Sequence, residues 1–149
     1  MVAANDSALV RQIELHEGIR LRPYRCTAGK LTIGVGRNLE DRGITLAEAR
    51  LLLANDLADV RNGLANALPW VARLDDVRQR VLIDMAFNLG LQGLLEFKRT
   101  LEAVRQGRYQ QAAGMMLESR WASQVGQRAQ RLAQMMRDGR EPPELQRRT

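Results

Sequence analysis

The sequence predicts a predominantly helical α+β fold with a small antiparallel β-ribbon after its first helix. Three observations carry that expectation. Most of the chain places apolar residues three and four apart, the repeat of an amphipathic helix. The stretch from Leu21 to Gly36 breaks that repeat with β-branched residues and glycines, which reads as strand, turn, strand. Glycines recur at the ends of the periodic segments, at Gly18, Gly90, Gly107 and Gly139.

Each element follows from local chemistry. Asp6 or Ser7 can cap a first helix, with Leu9, Val10 and Ile13 as its apolar stripe and Gly18 as its stop. "LRPYRC" and "LTIGVG" read as strands around the turn "TAGK", and Pro23 argues for an edge position. "EDRG" is a further turn. "TLAE", Thr45 to Glu48, is a capping box that opens a long helix with Leu46, Ala49, Leu53, Leu57, Val60 and Leu64 on one side. Pro69 ends it. Asp75 or Asp76 then starts "DVRQRVLIDMAFNLG", with Val77, Val81, Met85 and either Phe87 or Leu89 turned inward. "LLEFKRTLEAVRQG", "YQQAAGMMLES" and "GQRAQRLAQMMRDG" read as further helices, and "REPPELQRRT" as a frayed end. Trp70 and Trp121 read as core.

At 149 residues the chain suits one domain, residues 1–149, with two lobes. The β-containing lobe covers about 18–45, a connecting helix about 46–67, and a helical lobe about 70–139, with helix 7–17 packed on it. A single cysteine excludes an internal disulfide framework and points to a reducing compartment. No basic n-region precedes an apolar h-region, so no signal peptide is expected, and the apolar runs are too short to span a bilayer. The net charge is +6 and the pI 10.6, almost wholly from arginine, which favours polyanionic partners without choosing among them.

The residues with chemistry to offer cluster between Glu14 and Asn38. Glu17 shares a helix face with Val10 and Ile13, so it ends an apolar stripe at the negative end of a helix. Burial and the dipole both favour its protonated form, which suits a general acid. Cys26 sits between "RPYR" and "TAGK", where nearby arginine favours thiolate. Buried filler is its alternative. Thr32 points to the opposite side of its strand from Leu31 and Ile33, toward a cleft. A cysteine-protease arrangement would need His16, the one histidine, which neighbours Glu17 on a different helix face.

Eight residues separate Glu17 from Cys26, and five separate Cys26 from Thr32. With "HEGIRLRPYRCTAGKLTIGVGRN", "DMAFNLG" at Asp84 to Gly90 and "SRWASQVGQRAQR" at Ser119 to Arg131, this sequence resembles the phage-type lysozymes, glycoside hydrolase family 24. The likeness runs from about Leu9 to Met136. It implies a lysozyme-like fold and hydrolysis of the β-1,4 bond between N-acetylmuramic acid and N-acetylglucosamine in bacterial peptidoglycan. Glu17 would be the acid, Cys26 the second catalytic group where Asp is commoner, and Thr32 the holder of the attacking water. Asn38, Phe87, Asn88, Thr100 and Arg128 would line the substrate cleft, with Arg128 placed to pair with the catalytic Glu. Arg37 stands where His is common. The resemblance also implies an endolysin: a monomer made in the host cytoplasm, released through a holin-type pore to lyse the cell. It implies no cofactor and no metal ion.

Two other readings compete. A basic helical nucleic-acid-binding domain explains the arginines but not the spacing. The basic residues are scattered, and aromatics are only 4%, too few for a stacking surface. The segment "RAQRLAQMMRDGR" could touch anionic membrane or outer-membrane lipid, though an ordinary packed helix explains it as well. No specific nucleic acid is expected as a partner.

Overall fold

The computed structural model describes residues 4–146. The chain divides within its longest helix into two compact units, residues 1–52 and 53–149. The fold is the predominantly helical α+β class read from the sequence.

The first unit begins with helix α1, Ala4–Glu17. Gly18, at φ 77°, donates its N–H to Glu14 O at 2.8 Å and turns the chain into the ribbon. Strands β1 (Arg20–Arg25), β2 (Leu31–Gly34) and β3 (Arg37–Asn38) form an antiparallel sheet in the order β1-β2-β3. β1 is an edge strand, as Pro23 requires, and its pairing slips between Arg20 and Tyr24. β3 is a strand the sequence reading lacks. At two residues it is too short to show a period, and Gly34 and Gly36, at φ 72° and 70°, make the tight turn that returns it.

Helix α2, Leu46–Ala67, starts in this unit with the expected capping box. Thr45 Oγ1 accepts from the Glu48 N–H at 3.1 Å, and Glu48 Oε1 accepts from the Thr45 N–H at 2.8 Å. The expected inward stripe of α1 is not buried: Leu9, Val10 and Ile13 are 51%, 39% and 41% exposed. Among the described residues of this unit only Thr32 is buried, at 3% exposure. So short a unit has too little chain to enclose a helix stripe of its own.

The second unit holds the core. α3 (Asp76–Leu89), α4 (Leu91–Leu95), α5 (Lys98–Arg105), α6 (Tyr109–Glu118), α7 (Arg120–Val125) and α8 (Gln127–Asp138) follow the rest of α2. Asp75 caps α3, its carboxylate accepting from Arg78 N–H. α6 packs on α8 and α5, and α3 on α4 and α8. Val81, Leu82, Met85, Leu94, Val104, Met116 and Met136 are wholly enclosed. Trp121 is buried, edge-on to Phe97 with ring centres 6.1 Å apart, while Trp70 is half-buried against the same core.

Two expectations need correcting here. The segment read as one helix from Leu94 to Gly107 is two, because the chain breaks at Glu96 and Phe97 between α4 and α5. The tail is not frayed over residues 141–145. Glu141 pairs with Arg80 at 2.6 Å, Glu144 pairs with Arg131 at 3.1 Å, and Pro142 is buried. Long-range partners hold what local propensity would leave loose.

Candidate functional site

The first unit places three of the expected site residues on adjoining pieces of chain. Cys26 follows β1 and opens the turn to β2. Its N–H donates to Lys30 O at 3.0 Å and its carbonyl accepts from Gly29 N–H at 2.8 Å. That turn needs Gly29, at φ 79°, and it folds the backbone around the sulfur. The N–H of Lys30 and then that of Ala28 hold the Cys26 thiol below its ordinary range, against a smaller desolvation effect, and the Thr32 hydroxyl adds to the lowering. The arginines do not cause this shift. Arg25 is turned to Glu40 and to Gly29 O, both at 3.0 Å, so its charge is spent on a carboxylate. The thiol is lowered by backbone amide and not by the arginine charge that its sequence neighbours suggest.

Thr32 lies on β2 with Leu31 and Ile33 half-exposed on the other side, the alternation a strand imposes. Its hydroxyl donates to Lys30 O at 2.8 Å. Being 3% exposed, it sits beneath the ribbon surface and not on an open wall. The hydroxyl has one proton, which goes to the Lys30 carbonyl, and two lone pairs that stay free to accept.

Glu17 ends α1 and is exposed, so the burial argued from the helix stripe does not apply to it. Its carboxyl lies on Gly36. A Cβ placed on that glycine would stand 3.0 Å from Glu17 Oε2 and 3.3 Å from Cδ. Only glycine leaves this space and also adopts φ 70° without strain. Asn38 pairs with Thr32 across β2 and β3. Its side-chain amide is engaged locally, accepting from Asp41 N–H at 2.9 Å and donating to Asp41 Oδ2 at 3.1 Å.

The remaining expected residues lie in the second unit. Phe87 is 42% exposed and lines two shallow concavities, with Asp56, Asp59 and Leu91 on one side and Leu57, Arg61 and Arg128 on the other. It therefore faces outward, and Leu89 is the one that packs on the core. Asn88 is exposed, and its Oδ1 accepts from Trp121 Nε1 at 2.8 Å. Thr100 is 5% exposed within α5, so it backs the surface and does not form it. Arg128 is held by Asp84, with Nε–Oδ1 at 2.8 Å and Nη2–Oδ1 at 2.6 Å. Within its own unit Arg128 has this aspartate as partner. Asp84 was visible only as the first letter of "DMAFNLG", and nothing local marks a partner 44 residues away.

Arg37 is the other residue whose role the sequence left open. Its guanidinium forks onto Glu48, Nη1 to Oε1 at 2.8 Å and Nη2 to Oε2 at 2.6 Å, and also donates to Gly43 O at 3.1 Å. That fork, with the Thr45 N–H next, lowers the Glu48 carboxyl to about 2. Among the described residues no three His, Cys, Asp or Glu side chains converge as metal ligands, and no helix is long and apolar enough to cross a membrane.

The phage lysozyme family model matches residues 14–140. The chain is similar to "Probable T4-type lysozyme 1" of Dictyostelium discoideum, 25% identical over 162 aligned positions covering 89% of this chain and 95% of that protein. "Probable T4-type lysozyme 2" of the same organism is 22% identical, with the same shares covered. "Pre-baseplate central spike protein Gp5" of Enterobacteria phage T4 is 26% identical over 90% of this chain, which spans only 28% of that spike protein. The family match takes in the helix end bearing Glu17, the ribbon with Cys26 and Thr32, and the helices through Gly139. The chain belongs to the phage lysozyme family of glycoside hydrolases.

Proposed function

We propose that the chain is an endolysin that hydrolyses the β-1,4 bond between N-acetylmuramic acid and N-acetylglucosamine in peptidoglycan. Glu17 is the general acid, giving its proton to the leaving glycosidic oxygen. Its exposure suits an acid that must meet a polymer. Cys26 is the second catalytic group, drawing a proton from water or facing the oxocarbenium-like centre as thiolate. The observation that carries this reading is the amide cradle around Cys26 beside the Thr32 hydroxyl, in the ribbon whose Gly36 touches Glu17. Thr32 acts mainly through Cys26. With the sulfur protonated, the hydroxyl donates to Lys30 O; as thiolate develops, it can turn its proton to sulfur and leave its lone pairs for water.

Phe87 and Asn88 offer an exposed aromatic and amide edge for sugar contact, and Arg128 a cation fixed by Asp84. Asn38 is better read as holding its loop. Synthesis in the host cytoplasm, passage through a holin-type pore and action on the wall as a monomer complete the proposal. The positive charge of +6 would favour weak contact with anionic lipid on the way.

Reducing-end release from purified, protein-free peptidoglycan tests it, wild type against Glu17→Gln. Gln keeps the shape and cannot donate a proton. Loss of about two to four orders of magnitude with the fold intact supports Glu17 as acid. No reducing sugar from wild type, or equal release from the variant, defeats it.

A further inference from the structure

The strand next to both ends of the proposed chemistry is the shortest among the described residues. β3 is Arg37–Asn38, two residues. Gly36, immediately before it, is the floor under the Glu17 carboxyl. Asn38 is the cross-strand partner of Thr32. A strand of two residues has a short ladder, extended by the Leu39 N–H to Leu31 O at 2.8 Å, so a partner outside the sheet adds to what holds Gly36 in place.

Arg37 has the geometry for that task. Its five donors form a planar fork, and two of them meet the two oxygens of Glu48 in parallel while Nη1 also reaches Gly43 O. Glu48 is held from a second side: it closes the capping box of α2 with Thr45, so its carboxylate is bonded to the start of a 22-residue helix. A carboxylate in the first helical turn is also favoured by the dipole. The side chain of Arg37 is 22% exposed, which limits the screening that weakens surface pairs.

We infer that Arg37, clamped by Glu48, is a positioning residue for the reaction: it fixes Gly36 and β3 against the start of α2, and through them Glu17 and Thr32. This rests on the reading of Glu17 as general acid. Lysine cannot replace arginine here, because an ammonium keeps the charge and loses the fork.

The test compares Arg37→Lys, Glu48→Gln and the double variant with wild type and Glu17→Gln. kcat and KM are measured on peptidoglycan fragments at 25 °C across pH, with thermal unfolding alongside. Arg37→Lys should lower kcat about tenfold with KM within about twofold, since misplacing a catalytic group by a fraction of an ångström has that scale of effect. It should also move the high-pH limb of the pH profile, along which a general acid loses its proton, and the double variant should fall no further than the worse single variant. Unchanged kcat in folded Arg37→Lys overturns the clamp. So do single effects that multiply in the double variant, and so does a loss of activity that tracks only the unfolded fraction. If Glu17→Gln keeps full activity, the catalytic reading fails first and takes the clamp with it. If Glu17→Gln is inactive while Arg37→Lys is unaffected, the clamp alone falls.

Discussion

Replacing Gly36 with alanine should damage catalysis more than stability, and Gly34 supplies the control. Both glycines lie in the same ribbon with nearly equal φ, 70° and 72°. Alanine in that left-handed region costs about 1–2 kcal/mol at either position, which lowers Tm by about 2–8 °C in a chain of this size. The two differ in what the new methyl group meets. At Gly34 nothing lies within 4 Å. At Gly36 the methyl would stand 3.0 Å from Glu17 Oε2, 3.3 Å from Cδ and 3.5 Å from Cγ. A Cβ contact of 3.0 Å is tighter than nine in ten of those found in proteins, so the carboxyl must retreat by a few tenths of an ångström. As the far end of a flexible side chain it can do so at little cost to folding. The displacement should appear in kcat instead, as a fall of about three- to tenfold. The assay is reducing-end release well below both melting points, with Tm measured on the same preparations. Equal kcat for the two variants would refute the reasoning, because backbone strain would then be the whole effect. A Gly36→Ala enzyme with wild-type kcat would refute the placement of Glu17 on Gly36.

Two more expectations concern titration. Because amide N–H groups hold the Cys26 thiol below its ordinary range, iodoacetamide should modify it with a pH midpoint lower than that of a free cysteine peptide; a midpoint at or above the peptide's contradicts the cradle, and full activity after complete modification removes Cys26 from the mechanism. For Glu48, the folded carboxyl at about 2 lies below its usual 4.5, so its contribution to stability is complete above the higher value and is lost as pH falls from one to the other. The Tm advantage of wild type over Glu48→Gln should therefore be largest near pH 6 and close to zero by pH 2, and a constant gap over that window excludes the Arg37 pair as its source.

The helices were legible because their signals are local. The capping box at Thr45 to Glu48, the Asp75 cap, and the glycine stops at Gly18, Gly90 and Gly139 each depend on residues within one turn, and each stands where its chemistry requires. The candidate site was legible through spacing, and its energetics were not. Cys26 was expected to be activated by arginine, the visible charge nearby. The donors turned out to be the N–H groups of Lys30 and Ala28, which every residue other than proline carries, so residue type cannot announce them. Glu17 was expected to be buried because periodicity tells which residues share a face, but not whether the unit has enough chain to cover that face. Arg37–Glu48, Asn88–Trp121 and Asp84–Arg128 join residues 11, 33 and 44 positions apart, with no repeat to betray them. What the sequence does carry of these arrangements is negative space. Gly29 lets the turn close on the sulfur and Gly36 leaves room for the carboxyl. In this ribbon the residues without side chains mark the places where backbone does the chemical work, and they are the positions where a methyl group should be felt first in the rate.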